Sequence, residues 1–99
     1  MVFVSAKEFY DRGEHYAKLK EFLNRVGAFI ENIDNPVGIG YRDIFHYESS
    51  TIILDWTRKE ILTLKVIGND FMNTNRVLKN LESFFPKEEP LVVSSKENG

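Results

Sequence analysis

A helical pattern over residues 5–33 constrains the fold more than any other feature of the sequence. Ser5 and Glu8 have the spacing of a capping box, in which each side chain satisfies a backbone N–H at a helix start. Pro36 disfavours helical geometry in the residue before it and so ends the pattern. The apolar side chains of one helix face follow at three- and four-residue spacing: Leu19, Phe22, Leu23, Val26, Phe29, Ile30 and Ile33. The sequence therefore predicts one helix of about 29 residues, roughly 43 Å long.

The first half of this predicted helix presents a different face. Polar side chains continue the apolar stripe toward the N-terminus, and aromatic side chains are rotated away from it around Gly13. Either Gly13 breaks the helix, or the first turns extend beyond the domain's own core and contact another protein. Aromatic residues are enriched in the cores of protein interfaces. The second interpretation predicts a partner-binding surface made of Glu8, Phe9, Arg12, His15 and Tyr16.

Three segments after this helix are typical of β-strands, because apolar and polar side chains alternate in them. They cover residues 37–47, 51–57 and 61–67, and Asp43 interrupts the alternation of the first. Short polar turns separate the segments, and such turns force neighbouring strands to be antiparallel. The three segments therefore predict an antiparallel meander.

A second helix is expected after Gly68, with Asp70 or Thr74 as its N-cap and Pro86 at its end. The predicted fold class is α+β, in the element order α-β-β-β-α. Both helices would lie on one face of the three-stranded antiparallel sheet, because the sheet needs one covered face to form a core.

The length of 99 residues suits one small domain with a single apolar core. We assign residues 1–86 to this α+β domain. Residues 87–99 are polar apart from 91–93. We therefore expect a flexible C-terminal tail, with 91–93 as a candidate short edge strand.

Composition bears on the class of partner. Thirteen basic and fifteen acidic residues give a formal charge of −2, whereas a nucleic-acid binder normally carries a basic stripe. No apolar run approaches the ~20 residues needed to span a bilayer, so no membrane association is expected. The absence of cysteine fits a reducing compartment, and the expected localisation is the cytoplasm.

Residues with catalytic or metal-binding chemistry are sparse. The two histidines, His15 and His46, have no second histidine or carboxylate at the spacing of a metal site. We therefore predict no catalytic residues, no metal and no cofactor. An enzyme of the hydrolase type, using His15 or His46 with a neighbouring carboxylate, is the third-ranked interpretation.

The predicted sheet supplies an alternative partner-binding surface. Side chains on the strand face opposite the aromatic residues would form a mixed polar and apolar platform. This alternative surface consists of Arg42, Ile44, His46, Ile53, Asp55 and Lys65.

The start of the second helix supplies an anion-binding or nucleic-acid-binding alternative, since helix N-termini bind anions through free N–H groups. The residues concerned are Asn73, Asn75, Arg76 and Lys79. The predicted element order resembles that of the double-stranded RNA-binding domain. That family carries a lysine-rich start to its last helix, which is absent here, so nucleic-acid binding is ranked second.

The interpretation ranked first is a non-enzymatic protein-binding module acting through the long N-terminal helix and the open sheet face. A homodimer is expected. Small inhibitor, antidote or adaptor proteins, including those of phages and mobile elements, have this kind of sequence.

Overall fold

The computed structural model describes residues 1–34 and 41–86 and contains seven elements of secondary structure. They are β1 (Phe3–Tyr10), α1 (Glu14–Val26), β2 (Ala28–Asp34), β3 (Tyr41–Tyr47), β4 (Ser50–Arg58), β5 (Ile61–Gly68) and α2 (Phe71–Glu82). The prediction of a small α+β domain with two helices is confirmed. The predicted three-stranded sheet is wrong, because the sheet has five strands.

The single long helix is also wrong, because residues 5–33 are divided among β1, α1 and β2. Gly13 precedes α1 with a φ of 108°, in the left-handed region that glycine adopts without steric cost. Gly27 follows α1 and allows a close approach, since a Cβ atom there would lie 2.7 Å from the carbonyl oxygen of His46. The two glycines therefore mark the two places where the predicted helix is interrupted.

Tertiary contacts explain why the capping box at Ser5 does not form. Ser5 lies in the middle of β1 and is buried against α2. Its hydroxyl lies 3.2 Å from Oγ1 of Thr74 and donates to Oδ1 of Asn75 at 2.9 Å. The polar group that suggested a helix start instead joins the first strand to the last helix.

The sheet has the strand order β1-β5-β4-β3-β2, and all four neighbouring pairs are antiparallel. The predicted meander is confirmed for β3, β4 and β5, and β2 and β1 extend it on either side. Four antiparallel pairings make the two edge strands β1 and β2 parallel to each other. The chain therefore crosses the whole sheet between them through α1. This topology differs from the order on which the resemblance to the double-stranded RNA-binding domain rested.

Both helices pack on the same face of the sheet. Leu19 and Leu23 of α1 are fully buried, as is Val77 of α2. α1 also contacts the segment that follows α2, since the ring centroids of Phe22 and Phe84 are 5.0 Å apart. The core side chains contributed by the three central strands are Phe45, Ile52, Leu54, Leu62, Leu64 and Val66.

The start of α2 agrees with the sequence. Asp70 is its N-cap, and its carboxylate accepts hydrogen bonds from the backbone N–H groups of Met72 and Asn73 at 3.0 and 3.4 Å. Such a cap satisfies donors that have no partner within the helix.

No helix in the described part of the chain is long and apolar enough to cross a membrane. The tail at 87–99, with its candidate edge strand at 91–93, and residues 37–40 of the first predicted strand lie outside the described residues.

Candidate functional site

One face of the sheet, which we call the outer face, has neither helix packed on it. In register across the strands it carries the row Val4, Ile67, Thr51, His46 and Ala28. The next two rows are Ala6, Lys65, Ile53, Ile44 and Glu31, and then Glu8, Thr63, Asp55, Arg42 and Ile33. All six residues of the predicted sheet-face surface lie here, on three adjacent strands. The alternation of side chains along a strand was therefore sufficient to bring them together.

An ion-pair cluster lies at the middle of the outer face. The buried carboxylate of Asp55 accepts a hydrogen bond from Nε of Arg42 at 3.2 Å, and Nζ of Lys65 lies 3.9 Å from the same oxygen. Beside it, the buried hydroxyl of Thr63 has no hydrogen-bond partner among the described residues. Ile44 and Ile53 are paired across β3 and β4 in the neighbouring row. The outer face thus combines charged side chains held by ion pairs with apolar side chains.

The C-terminal part of the predicted apolar stripe is exposed to solvent. Its four side chains lie at the end of α1 and along β2, and each is between 42% and 51% exposed. We call this set the apolar edge: Val26, Phe29, Ile30 and Ile33. Helical spacing predicts that the whole stripe faces the core, and this is wrong for these four residues: Val26 is the last residue of α1, and beyond Gly27 the chain continues as the edge strand β2.

A bulge shapes the apolar edge. Phe29 pairs with Phe45 and Glu31 pairs with Ile44, so Ile30 is an extra residue in β2. Bulges disturb the regular row of backbone donors and acceptors and are found on edge strands, where they hinder the addition of another strand. A partner at the apolar edge would therefore pack on the side chains rather than extend the sheet.

The start of α1 contains a buried carboxylate that sequence reasoning missed. Asp11 lies just after β1 and accepts hydrogen bonds from the N–H groups of Gly13, His15 and Tyr16 at 3.0, 3.2 and 3.0 Å. Nδ1 of His15 lies 2.9 Å from Oδ1 of Asp11. Asp11 therefore caps α1 and also orients the His15 ring.

Opposing effects act on the pKa of Asp11. Burial raises the pKa, but hydrogen bonds from the Tyr16 N–H, the His15 side chain and the Gly13 and His15 N–H groups lower it by more. The pKa of Asp11 therefore lies below its ordinary value of 3.8. The carboxylate is ionised at neutral pH, as a helix N-terminus favours.

The Asp11–His15 pair borders a shallow cleft of about 340 Å³ together with Tyr10, Arg12 and Glu60. A carboxylate that orients an imidazole is an arrangement used for proton transfer. Among the described residues, no serine, threonine or cysteine lines this cleft. The signal in the sequence was an aspartate four residues before a histidine, with a glycine between them.

A second buried carboxylate joins three elements below α1. Asp43 is fully buried and accepts hydrogen bonds from the hydroxyl of Tyr16 and from Nδ2 of Asn32, the latter at 2.7 Å. Nζ of Lys20 lies 3.6 Å from it. The residue that interrupted the alternation of β3 therefore points into the core, where it links α1 to β2 and β3.

The predicted helical binding surface does not form. Phe9 is buried and stacks on Phe85 with ring centroids 4.2 Å apart, and Tyr16 is buried beside Asp43. Glu8 lies on the outer face of β1, whereas Arg12 lies in the connection to α1 and pairs with Glu60 at 3.7 Å. The two aromatic side chains belong to the domain's own core, so no projecting helix remains to carry the interface.

The predicted anion-binding residues are mostly held by contacts within the chain. Arg76 pairs with the carboxylate of Glu48 at 3.3 Å, and Nδ2 of Asn73 donates to the Glu48 carbonyl oxygen at 2.9 Å. Asn75 accepts the hydrogen bond from Ser5. Lys79 forms no ion pair with any described residue. Arg76 also donates to Oδ1 of Asn73 at 2.6 Å, so two of the four residues are in contact.

The described residues contain no group of three or more histidine, cysteine, aspartate and glutamate side chains that could hold a metal ion. Comparisons with protein-family models, with curated protein sequences and with solved structures gave no significant match. The function must therefore be argued from the surfaces of the chain itself.

Proposed function

We propose that this chain is a non-enzymatic protein-binding module that forms a homodimer through the apolar edge. The observation that carries the proposal is the exposure of Val26, Phe29, Ile30 and Ile33, which lie at the end of α1 and along the edge strand β2. Exposed apolar side chains concentrated in one region of the surface are typical of interaction sites on small proteins. Burial of such side chains favours association because it removes apolar surface from water.

A second copy of the chain suits this surface for a reason of symmetry. In a two-fold dimer the same patch meets itself, so a charged patch would place like charges together. The four side chains of the apolar edge carry no charge. Stable interfaces bury about 800 Å² per partner, which is more than four side chains supply. The adjoining residues of the outer face, including Ile44 and His46, provide the polar and half-buried rim.

The outer face is also available for a different protein. Its central ion pairs among Arg42, Asp55 and Lys65 are ordered by contacts within the chain. Side chains held in this way lose little conformational entropy when a partner docks. A small dimeric protein with such a platform would act as an inhibitor, an antidote or an adaptor.

Sedimentation velocity over a range of protein concentrations tests the dimer. We expect the unmodified chain to dimerise and Ile30→Lys to be monomeric, because the charge would be buried at the centre of the interface. Val4→Lys is the matched control, since Val4 is an exposed aliphatic residue on the opposite edge strand. A monomeric unmodified chain, or equal loss of the dimer in both variants, would reject the apolar edge as the interface.

A further inference from the structure

The opposite edge of the sheet has a different construction. A cleft of about 510 Å³ lies between the second half of β1 and the last turn of α2. Its lining includes Phe9 and Phe85, whose stacked rings form an apolar floor. Lys7 and Glu82, also in the lining, form an ion pair at 3.4 Å. The cleft is therefore bounded by a strand on one side and a helix on the other.

The backbone of β1 is regular, whereas that of β2 contains a bulge. Its register with β5 runs without a shift over all eight residues, from Phe3 opposite Gly68 to Tyr10 opposite Ile61. In an antiparallel pair, every second residue directs its N–H and C=O groups away from the neighbouring strand. Among the described strands β1 is at the edge of the sheet, where it offers a row of donors and acceptors to which an extended segment can add.

The two faces of the sheet carry unpaired charges of opposite sign at this edge. Lys79 lies on α2 on the helix side, and Glu8 lies on the outer face. Both line the cleft, and neither forms an ion pair with any described residue. An incoming strand is therefore favoured if it carries an acid on its helix-side face and a base on its outer face.

We propose that β1 and α2 bind an extended peptide of another protein as a sixth strand of the sheet. The side chains that face α2 are apolar or acidic, so that they contact the Phe9–Phe85 stack and Lys79. The alternate side chains include a basic residue opposite Glu8. This surface lies at the other edge of the sheet from the apolar edge, so the proposal does not depend on the homodimer.

A second copy of the chain is a poor occupant of the same cleft. An antiparallel pairing of two β1 strands would keep the helix side of both copies on one face. On the helix side both copies would present the unpaired Lys79, and on the outer face both would present the unpaired Glu8, so neither copy supplies an unpaired charge of the opposite sign. Like charges opposite each other destabilise a strand pair. Charge complementarity therefore favours a heterologous peptide.

The test uses two fluorescently labelled synthetic peptides of identical composition in which valine alternates with threonine. In the matched peptide one aspartate replaces a valine and one lysine replaces a neighbouring threonine. In the control peptide the aspartate and the lysine are interchanged. A one-residue shift of register cannot rescue the control, because the valines would then face away from Phe9 and Phe85. Fluorescence anisotropy measures binding to the full chain.

We expect the matched peptide to bind about tenfold more tightly than the control, because it pairs both charges that the cleft leaves unpaired. Lys79→Gln should reduce this preference several-fold, and Lys79→Glu should abolish or reverse it. Lys59→Glu is the control for charge, since Lys59 is exposed in the turn after β4 and does not line this cleft. Backbone amide shifts on binding should map to β1 and the end of α2.

Three results would overturn the proposal. One is equal or undetectable binding of the two peptides at millimolar concentration. Another is an equal effect of the Lys79 and Lys59 variants. The third is binding that appears only after Leu91, Val92 and Val93 are changed to serine in the full chain, because the occupant would then be the chain's own C-terminal segment.

Discussion

Replacement of Asp11 should destabilise the domain more than replacement of an ordinary helix cap. In Asp11→Ala, the N–H groups of Gly13, His15 and Tyr16 lose their acceptor at the buried start of α1. Loss of a capping side chain costs about 1 kcal/mol, and a buried donor without a partner costs about 1–3 kcal/mol. These contributions overlap, so we expect the free energy of unfolding to fall by about 2–4 kcal/mol.

Urea denaturation followed by circular dichroism measures this loss. With an m-value of roughly 1–2 kcal/mol per M, the midpoint should fall by about 1–4 M. Asp70→Ala is the matched control, because Asp70 caps α2 at an exposed position and should cost about 1 kcal/mol. A loss below about 0.5 kcal/mol for Asp11→Ala would refute the reasoning, since water would then satisfy these donors equally well.

The pH dependence of the same experiment tests the role of the charge. The pKa of Asp11 is lowered in the folded chain, so the ionised carboxylate stabilises the fold fully at pH values above its ordinary pKa of 3.8. That contribution is lost as the pH falls through the lower pKa of the folded state. The difference in stability between the unmodified chain and Asp11→Asn should therefore shrink on acidification below about pH 4. A constant difference across this range would show that the charge of Asp11 is unimportant.

Three other substitutions follow from the packing, and denaturant titration checks each. Leu23→Ala should lower the free energy of unfolding by about 2–5 kcal/mol because Leu23 is fully buried, whereas Val26→Ala should change it by less than about 1 kcal/mol because Val26 is half exposed. Equal costs would contradict the assignment of Leu23 to the buried face of α1 and of Val26 to its exposed face. Gly27→Ala should cost about 1–3 kcal/mol, since its Cβ would lie 2.7 Å from a carbonyl oxygen of β3, and a neutral result would mean that β3 moves freely. Asp43→Ala should cost about 3–5 kcal/mol because the hydroxyl of Tyr16 and the amide of Asn32 lose their buried acceptor; a cost below 1 kcal/mol would show that they find other partners.

The second half of the chain could be predicted from the sequence because its signals are local. Strands β3, β4 and β5 are joined by short turns, and alternation of side chains determines which residues face the core. For this reason the six residues of the predicted sheet-face surface do lie on one face. Asp70 caps the helix that follows it, as its position indicated.

The first third could not be predicted because its structure depends on distant residues. The apolar stripe from Leu19 to Ile33 has helical spacing throughout, but only Leu19 and Leu23 are buried between α1 and the sheet. Beyond Gly27, the remaining residues of the stripe lie on β2, an edge strand whose partner is β3. The helix-facing side of β1 alternates weakly because Ser5 and Lys7 contact polar groups of α2. These contacts join residues about 70 positions apart, and no short sequence window contains both partners.

The candidate sites also divide into one that follows from local sequence signals and one that depends on the positions of neighbouring elements. The outer face follows from the period of two in each strand, so sequence reasoning located it. Asp11 has its role only because β1 ends one residue before it and α1 begins three residues after it. The same sequence inside one continuous helix would have placed Asp11 beside different neighbours, and it was overlooked for that reason.

The pairing of β1 with β5 has a consequence for how the chain folds during its synthesis. Phe3 is opposite Gly68, so β1 leaves the ribosome before β2 to β5 and cannot pair until β5 has emerged. The hairpins among β2 to β5 close over short separations and can form earlier, whereas closing such a long loop is slow. During that interval β5 is an unprotected edge, and Phe9 has no Phe85 to cover it. The nascent chain therefore exposes an unpaired strand edge and an uncovered aromatic side chain, both of which favour aggregation, just before the pairing of β1 with β5.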